Sequence, residues 1–251
     1  MTRATKARRV QGRWTSAAIL LAALAAAAPD GSAQPRPAEQ HDMRLVGVDD
    51  LQGRSAYQPV IHHQGARWIA YVGHHGGVKR NPLTGRDERN GTSIVDVTDP
   101  ARPRYLAHVP GAAGEAESGG AAMARVCDGA ALPKGARGKT YLLRTLGNLS
   151  HEIWDVTDPT KPAFLATVVA GLDSTHKNWW ECDSGIAYLV SDGRPAGWRT
   201  NRMTKIYDLS DPAQPRFIRD FGLAGQEPGS TGKAPEGVHG PIAYKNRVYF
   251  A

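Results

Sequence analysis

From Tyr57 onward, short apolar runs rich in β-branched and aromatic residues alternate with breaks of Gly, Pro, Asp and Asn. That rhythm predicts strands and tight turns, not helices. One segment is written three times. Ser93–Val109 reads SIVDVTDPARPRYLAHV, Glu152–Val168 reads EIWDVTDPTKPAFLATV, and Lys205–Phe221 reads KIYDLSDPAQPRFIRDF. Each copy is an apolar run ending in Asp, then Asp-Pro-x-x-Pro beginning three residues on, then a second apolar run. The shared Asp falls at Asp96, Asp155 and Asp208, spacings of 59 and 53 residues.

Two further strands precede each copy. Trp68–Gly73, Thr140–Arg144, Ile186–Ser191 and Val248–Ala251 align on Tyr71, Tyr141, Tyr188 and Tyr249. Tyr57–His63, Ala122–Cys127, Asn178–Cys182 and Gly240–Tyr244 come earlier still. The repeat therefore predicts an all-β chain. Its expected architecture is a β-propeller of four-stranded blades at about 57–109, 121–168, 176–221 and 239–251, the last incomplete. About three and a half blades cannot close a ring, so the chain is expected to be the N-terminal part of a longer protein.

The turn has a mechanism. Asp99, Asp158 and Asp211 can accept backbone N–H bonds two residues on, and Pro100, Pro159 and Pro212 preset φ for the first turn position. Pro103, Pro162 and Pro215 remove a donor where an edge strand begins. Asp96, Asp155 and Asp208 recur in every unit, which assigns them to the turn; the spacing is a poor match to a calcium loop.

Composition alters the picture at the N-terminus. Arg3, Lys6, Arg8, Arg9 and Arg13 precede an apolar run of 12 residues, Ala17–Ala28, and the small residues Gly31-Ser32-Ala33. This predicts a secretory leader over 1–33, with a linker and lead-in over 34–56. Arg8-Arg9 lacks the usual sequence after a twin-arginine pair. The run is too short to span a bilayer, which takes about 20 residues. The leader holds five basic residues and one acid, so its removal takes the formal net charge from +7 to +3. With no basic stripe interleaved with aromatics, nucleic-acid binding is disfavoured. Export permits a disulfide between the two cysteines. Yet Cys127 and Cys182 hold equivalent places in successive units, a separation expected to exceed the roughly 7 Å limit on Cα atoms.

The long polar loops all fall at one end of the units: 74–92, 110–120, 148–151, 170–177, 192–204 and 222–240. That face is the expected binding surface. His176 and His239 precede first strands near the expected axis, while His74, His75 and His151 lie in adjoining loops. These imidazoles could bind a divalent metal or act as acid and base. Asp192, Arg194, Trp198 and Arg199 form a second candidate group, an Arg pair beside an indole that suits an anionic or sugar-like ligand. Trp179-Trp180 is read as inter-blade packing. Glu181 and Asp183 fall on the short-turn side, which argues against a carboxylate-pair mechanism. Metal, nucleotide and serine-hydrolase motifs are absent, and no cofactor is predicted.

SIVDVTDP, EIWDVTDP and KIYDLSDP resemble the LVIVD repeat of exported bacterial and archaeal β-propellers, over about Tyr57 to Ala251. The resemblance implies fold and export, in the periplasm, cell envelope or medium, and carries no catalytic residues. The leading expectation is a non-enzymatic scaffold that binds a protein or small molecule through the long-loop face. The alternatives are a metal-assisted hydrolase or lyase using His176 and His239, and a cell-surface adhesion module.

Overall fold

A computed structural model describes residues 41–251. The expected leader and the first part of the lead-in lie outside the described residues. Seventeen strands and three short 3₁₀ turns follow, with no α-helix among the described residues.

The first sheet has the order β1 (Tyr57–Gln64), β2 (Arg67–His75), β5 (Gly91–Asp96), β6 (Arg104–Pro110). The second runs β8 (Ala124–Asp128), β9 (Thr140–Leu146), β10 (Ser150–Asp155), β11 (Ala163–Ala170). The third runs β12 (Thr175–Trp180), β13 (Ile186–Ser191), β14 (Met203–Asp208), β15 (Arg216–Phe221). β16 (Pro241–Tyr244) and β17 (Arg247–Phe250) form a hairpin. All pairs are antiparallel, each sheet is a meander, and the first strands β1, β8, β12 and β16 adjoin in that order. β3 (Val78–Asn81) and β4 (Arg86–Arg89) make a hairpin within the expected 74–92 loop. Both its faces are largely polar and exposed, so no apolar alternation announces it. β7 (Gly120–Ala121) bridges the end of β2.

Successive side chains on a strand point to opposite faces, and here both faces are apolar. Ile69, Tyr71 and Ile94 of the first sheet pack on Ala124, Leu142 and Val156 of the second. Tyr141, Leu143 and Ile153, on the second sheet's other face, pack with Trp180, Ala187, Leu189, Tyr207 and Leu209 of the third. Each large side chain so buried contributes about 1.5–3 kcal/mol. We call the face toward the following sheet forward and the other back.

One buried ion pair reinforces the first of these joints. Arg144, 1% exposed, bonds Glu152 at 3.1 Å and reaches the carbonyls of Val109 and Pro110 on the first sheet at 3.0 and 2.8 Å. It also lies over the Trp154 ring, 4.9 Å from its centroid.

The Asp-Pro turn repeats to the atom. Asp96, Asp155 and Asp208 accept the N–H of Thr98, Thr157 and Ser210 at 3.0, 2.9 and 2.9 Å. Asp99, Asp158 and Asp211 accept the N–H of Ala101, Thr160 and Ala213 at 3.1, 3.0 and 3.0 Å. The residue after the first Asp then donates back to the second-strand side: Val97 to Trp68, Val156 to Thr140, Leu209 to Gly185. At Gly185 the turn needs glycine, since φ is +76° and a Cβ would meet Ser210 Cα at 2.6 Å. Burial opposes ionisation of Asp96 and Asp155. Even so, bonds from Thr98 to the first, and from Lys139 and Thr157 to the second, hold both carboxyls below their usual range. At Asp208 the Ser210 hydroxyl and N–H lower it directly.

The cysteines correct an expectation. Cys127 and Cys182 are disulfide-bonded, with Cα atoms 5.5 Å apart. The expectation took equivalent positions in neighbouring units as uniformly distant. Cys127 in β8 and Cys182, just past β12, are brought together because those two first strands lie against each other.

Two outcomes follow. Asp155→Ala removes two local bonds and the 2.8 Å contact with Lys139; urea unfolding is expected to show a loss of about 1–3 kcal/mol. Cys127→Ser with Cys182→Ser releases a cross-link across 55 residues of sequence. Thermal and chemical unfolding are expected to show a loss of about 2–4 kcal/mol, and no loss would contradict a bridge.

Candidate functional site

The meander puts the start of each first strand and the end of each second strand at one end of the stack, together with the long loops. Three of the predicted histidines converge there. His176 and His239 lie with ring centroids 4.7 Å apart. His75, at the end of β2, lies 4.7 Å from the Tyr57 ring.

Four residues absent from the sequence-level candidates complete the cluster. Glu117, in a 3₁₀ turn over Ala116–Ser118, places Oε2 3.7 Å from His176 Nδ1. Arg202 donates to the same oxygen at 3.1 Å. Lys177 donates to the Tyr57 hydroxyl at 2.7 Å, joining the first strands of the first and third sheets. Tyr57, His75, Glu117, Thr175 and His176 line a small cavity. His75 Nε2 is buried there without a hydrogen-bond partner among the described residues.

Burial lowers the His176 pKa to about 4, and Arg202, His239 and Lys177 push the same way against Glu117. The imidazole is therefore neutral at pH 7 and can accept a hydrogen bond. The Lys177 ammonium has a phenol as its partner and, among the described residues, no carboxylate. With Arg202 offset by Glu117, the cluster carries a net positive charge and suits an anionic or strongly hydrogen-bonding group.

Two predicted histidines do not reach this site. His74 is fully buried at the end of β2, bonded through Nδ1 to the Ser55 carbonyl and through Nε2 to Ser93 Oγ at 2.7 Å. His151 is fully buried in β10 and contacts the Val190 carbonyl at 3.2 Å. The loop reading had placed both in loops, but β2 and β10 extend through them.

The second predicted group braces its own loops. The Asp192 carboxylate is buried and takes Arg194 Nε at 3.0 Å. Arg199 donates to the carbonyls of Gly225, Thr231 and Gly232. Trp198 sits where a Cβ on Gly193 or Gly222 would be. These side chains are engaged with residues 192–232 and present no free Arg pair. Trp180 is buried in the core between the second and third sheets, while Trp179 lies under Arg125.

A metal fits less well. Among the described residues no three His, Cys, Asp or Glu side chains are placed to hold an ion, and Glu117 already engages Arg202.

No protein-family model matches the chain, so its likeness to the LVIVD repeat rests on the repeat residues themselves. No curated protein matches it either. Among solved structures it is similar to a functionally unknown protein from Desulfotomaculum acetoxidans DSM 771. That match has a TM-score of 0.43 and 8% identity, over 79% of this chain and 63% of that one. It is also similar to the catalytic domain of Coprinopsis cinerea GH62 alpha-L-arabinofuranosidase, with a TM-score of 0.38 and 16% identity, over 73% and 55%. The chain thus spans less than two thirds of either structure's length. What is established is an all-β fold of antiparallel sheets, with no helix among the described residues long and apolar enough to cross a membrane.

The buried imidazoles set a pH dependence. Burial is the leading cause that lowers His74, His108, His151 and His176 to about 4. Unfolded imidazoles take up a proton near pH 6.5. Between about pH 6.5 and 4 the unfolded chain therefore holds more protons, and stability falls as pH falls. Each such imidazole contributes a slope of up to about 1.4 kcal/mol per pH unit. Urea unfolding at pH 7 and pH 5 is expected to show a marked loss at pH 5, reduced in His151→Gln relative to its own value at pH 7.

Proposed function

We propose that this chain is part of an exported β-propeller of the LVIVD-repeat kind, its three four-stranded sheets and following hairpin serving as successive blades. Its function is to bind a ligand, without chemical turnover, at the long-loop end. The observation that carries the reading is the convergence of Tyr57, Glu117, His176, Lys177, Arg202 and His239, from five separate segments, on one point. A polar cluster assembled from distant segments around a buried unpartnered nitrogen at His75 suits recognition better than packing. The Asp-Pro turns at the other end repeat in every sheet, as a structural element would. The disulfide supports an oxidising compartment, and the leader-like residues 1–33 agree with it.

The ligand class that fits is a small molecule or peptide end bearing an anionic group, held by Lys177 and Arg202 and hydrogen-bonded by neutral His176. Calorimetric titration with citrate and with inorganic phosphate at low ionic strength tests this. Saturable binding is expected, weakened at least tenfold in Lys177→Met and in Arg202→Met, and unchanged in Arg194→Met. Equal binding by all four proteins would remove the cluster from the site.

A further inference from the structure

The anion position of the long-loop cluster is already filled, and a carboxylate fills it. Glu117 Oε2 accepts a hydrogen bond from Arg202 Nη2 at 3.1 Å and lies 3.7 Å from His176 Nδ1. On its inner side the same residue helps to close the cavity lined by Tyr57, His75, Thr175 and His176. That cavity has a volume of about 10 Å³, which barely admits one water molecule. Nothing of citrate's size fits there as the side chains stand, so binding requires one of them to leave.

Burial and hydrogen bonding decide which one. Thr175 is buried and its hydroxyl donates to the Gly147 carbonyl. Tyr57 is held by the Lys177 ammonium at 2.7 Å. The His176 side chain is 7% exposed, whereas that of Glu117 is 47% exposed. Among the described residues that line the cavity, Glu117 alone is exposed. Its one hydrogen bond among the described residues is the bond from Arg202.

The backbone beneath Glu117 is pinned. The Gly76 N–H donates to the Ala116 carbonyl at 2.7 Å, and the Asn148 N–H to the Ser118 carbonyl at 3.2 Å. Ala116 is held at φ +47°, the left-handed region that a residue with a Cβ seldom adopts. Strain of this kind persists only where the surroundings enforce it, and here it aims Glu117 at Arg202. The movable part is therefore the side chain and not the loop. Glu117 and Arg202 are 85 residues apart in sequence, so their contact braces no local turn, unlike that of Asp192 with Arg194. An exposed ion pair of this sort stabilises little and is readily exchanged.

We infer that Glu117 is a built-in stand-in for the carboxylate of the ligand: it holds the anion position on Arg202, and a carboxylate-bearing molecule binds by displacing it. This deepens the ligand reading and rests on it. The exchange returns one carboxylate to Arg202 for the one removed, so the guanidinium is not left unpaired. The swing of Glu117 also opens the cavity toward His75, and the incoming group gains Lys177, which Glu117 does not engage. Glu117 thus sets the affinity of the site by competing for it.

Calorimetric titration with citrate at low ionic strength tests the exchange. Glu117→Gln keeps the shape of the side chain and removes the charge that holds Arg202, and Glu117→Ala also empties its space. Both variants are expected to bind citrate about tenfold more tightly than the wild-type chain, since the ligand no longer has a charge-assisted bond to displace. Glu115→Gln removes the same charge two residues away, at an exposed position, and is expected to stay within about twofold of wild type because an exposed charge is screened. Circular dichroism and unfolding temperature check that each variant is folded. Binding by wild type with equal or weaker binding in both Glu117 variants would overturn the exchange and leave the ligand site standing. An equal gain in Glu115→Gln would overturn it too, since general charge and not occupancy would then be the cause. Citrate binding by none of the proteins would remove the site and the exchange with it.

Discussion

A sheet that is apolar on both faces has nowhere to put either of them except against another sheet. That constraint organises this molecule. The alternation along β2, β5, β9, β10, β13 and β14 sends large side chains forward and back in turn, and at both interior joints those side chains are buried against the neighbouring sheet. The first strands adjoin as a consequence, and everything near them follows: the disulfide between β8 and the end of β12, the Lys177–Tyr57 contact, and the convergence of loops at one end. Buried polar groups sit where the joints meet those loops, as with Arg144 and Glu152 under the carbonyls that end β6.

The two ends of the stack divide the labour. One end is closed by three near-identical Asp-Pro turns, whose carboxylates spend their acceptor capacity on backbone N–H groups and hydroxyls. The other end has no repeating chemistry, and its loops differ from sheet to sheet. Positions that need only hold a strand pair can be the same in every repeat, whereas a site built once needs residues that occur once.

This difference explains what the sequence disclosed. Strand order and the hydrogen-bonded turns at Asp96, Asp155 and Asp208 were legible because each depends on residues within a few positions of one another. The disulfide was not, because its 5.5 Å spacing comes from the neighbouring sheet. His74 and His151 were misplaced because β2 and β10 run further into polar sequence than their apolar cores suggest. The β3–β4 hairpin, solvated on both faces, left no apolar signature. Of the cluster at the long-loop end, His75, His176 and His239 could be named in advance from their position before or after strands. Glu117 and Arg202 could not, since each belongs to a polar loop with no motif and gains meaning from the residue it meets across the stack.

The central claim is the stacking of sheets in chain order with first strands in contact. Its most direct test is peptide mapping of the unreduced protein by mass spectrometry. The account predicts one linked pair of peptides, carrying Cys127 and Cys182, and no alkylatable thiol until a reductant is added. Two free thiols in the folded protein, or cross-links only between separate molecules, would place β8 and β12 apart and contradict it.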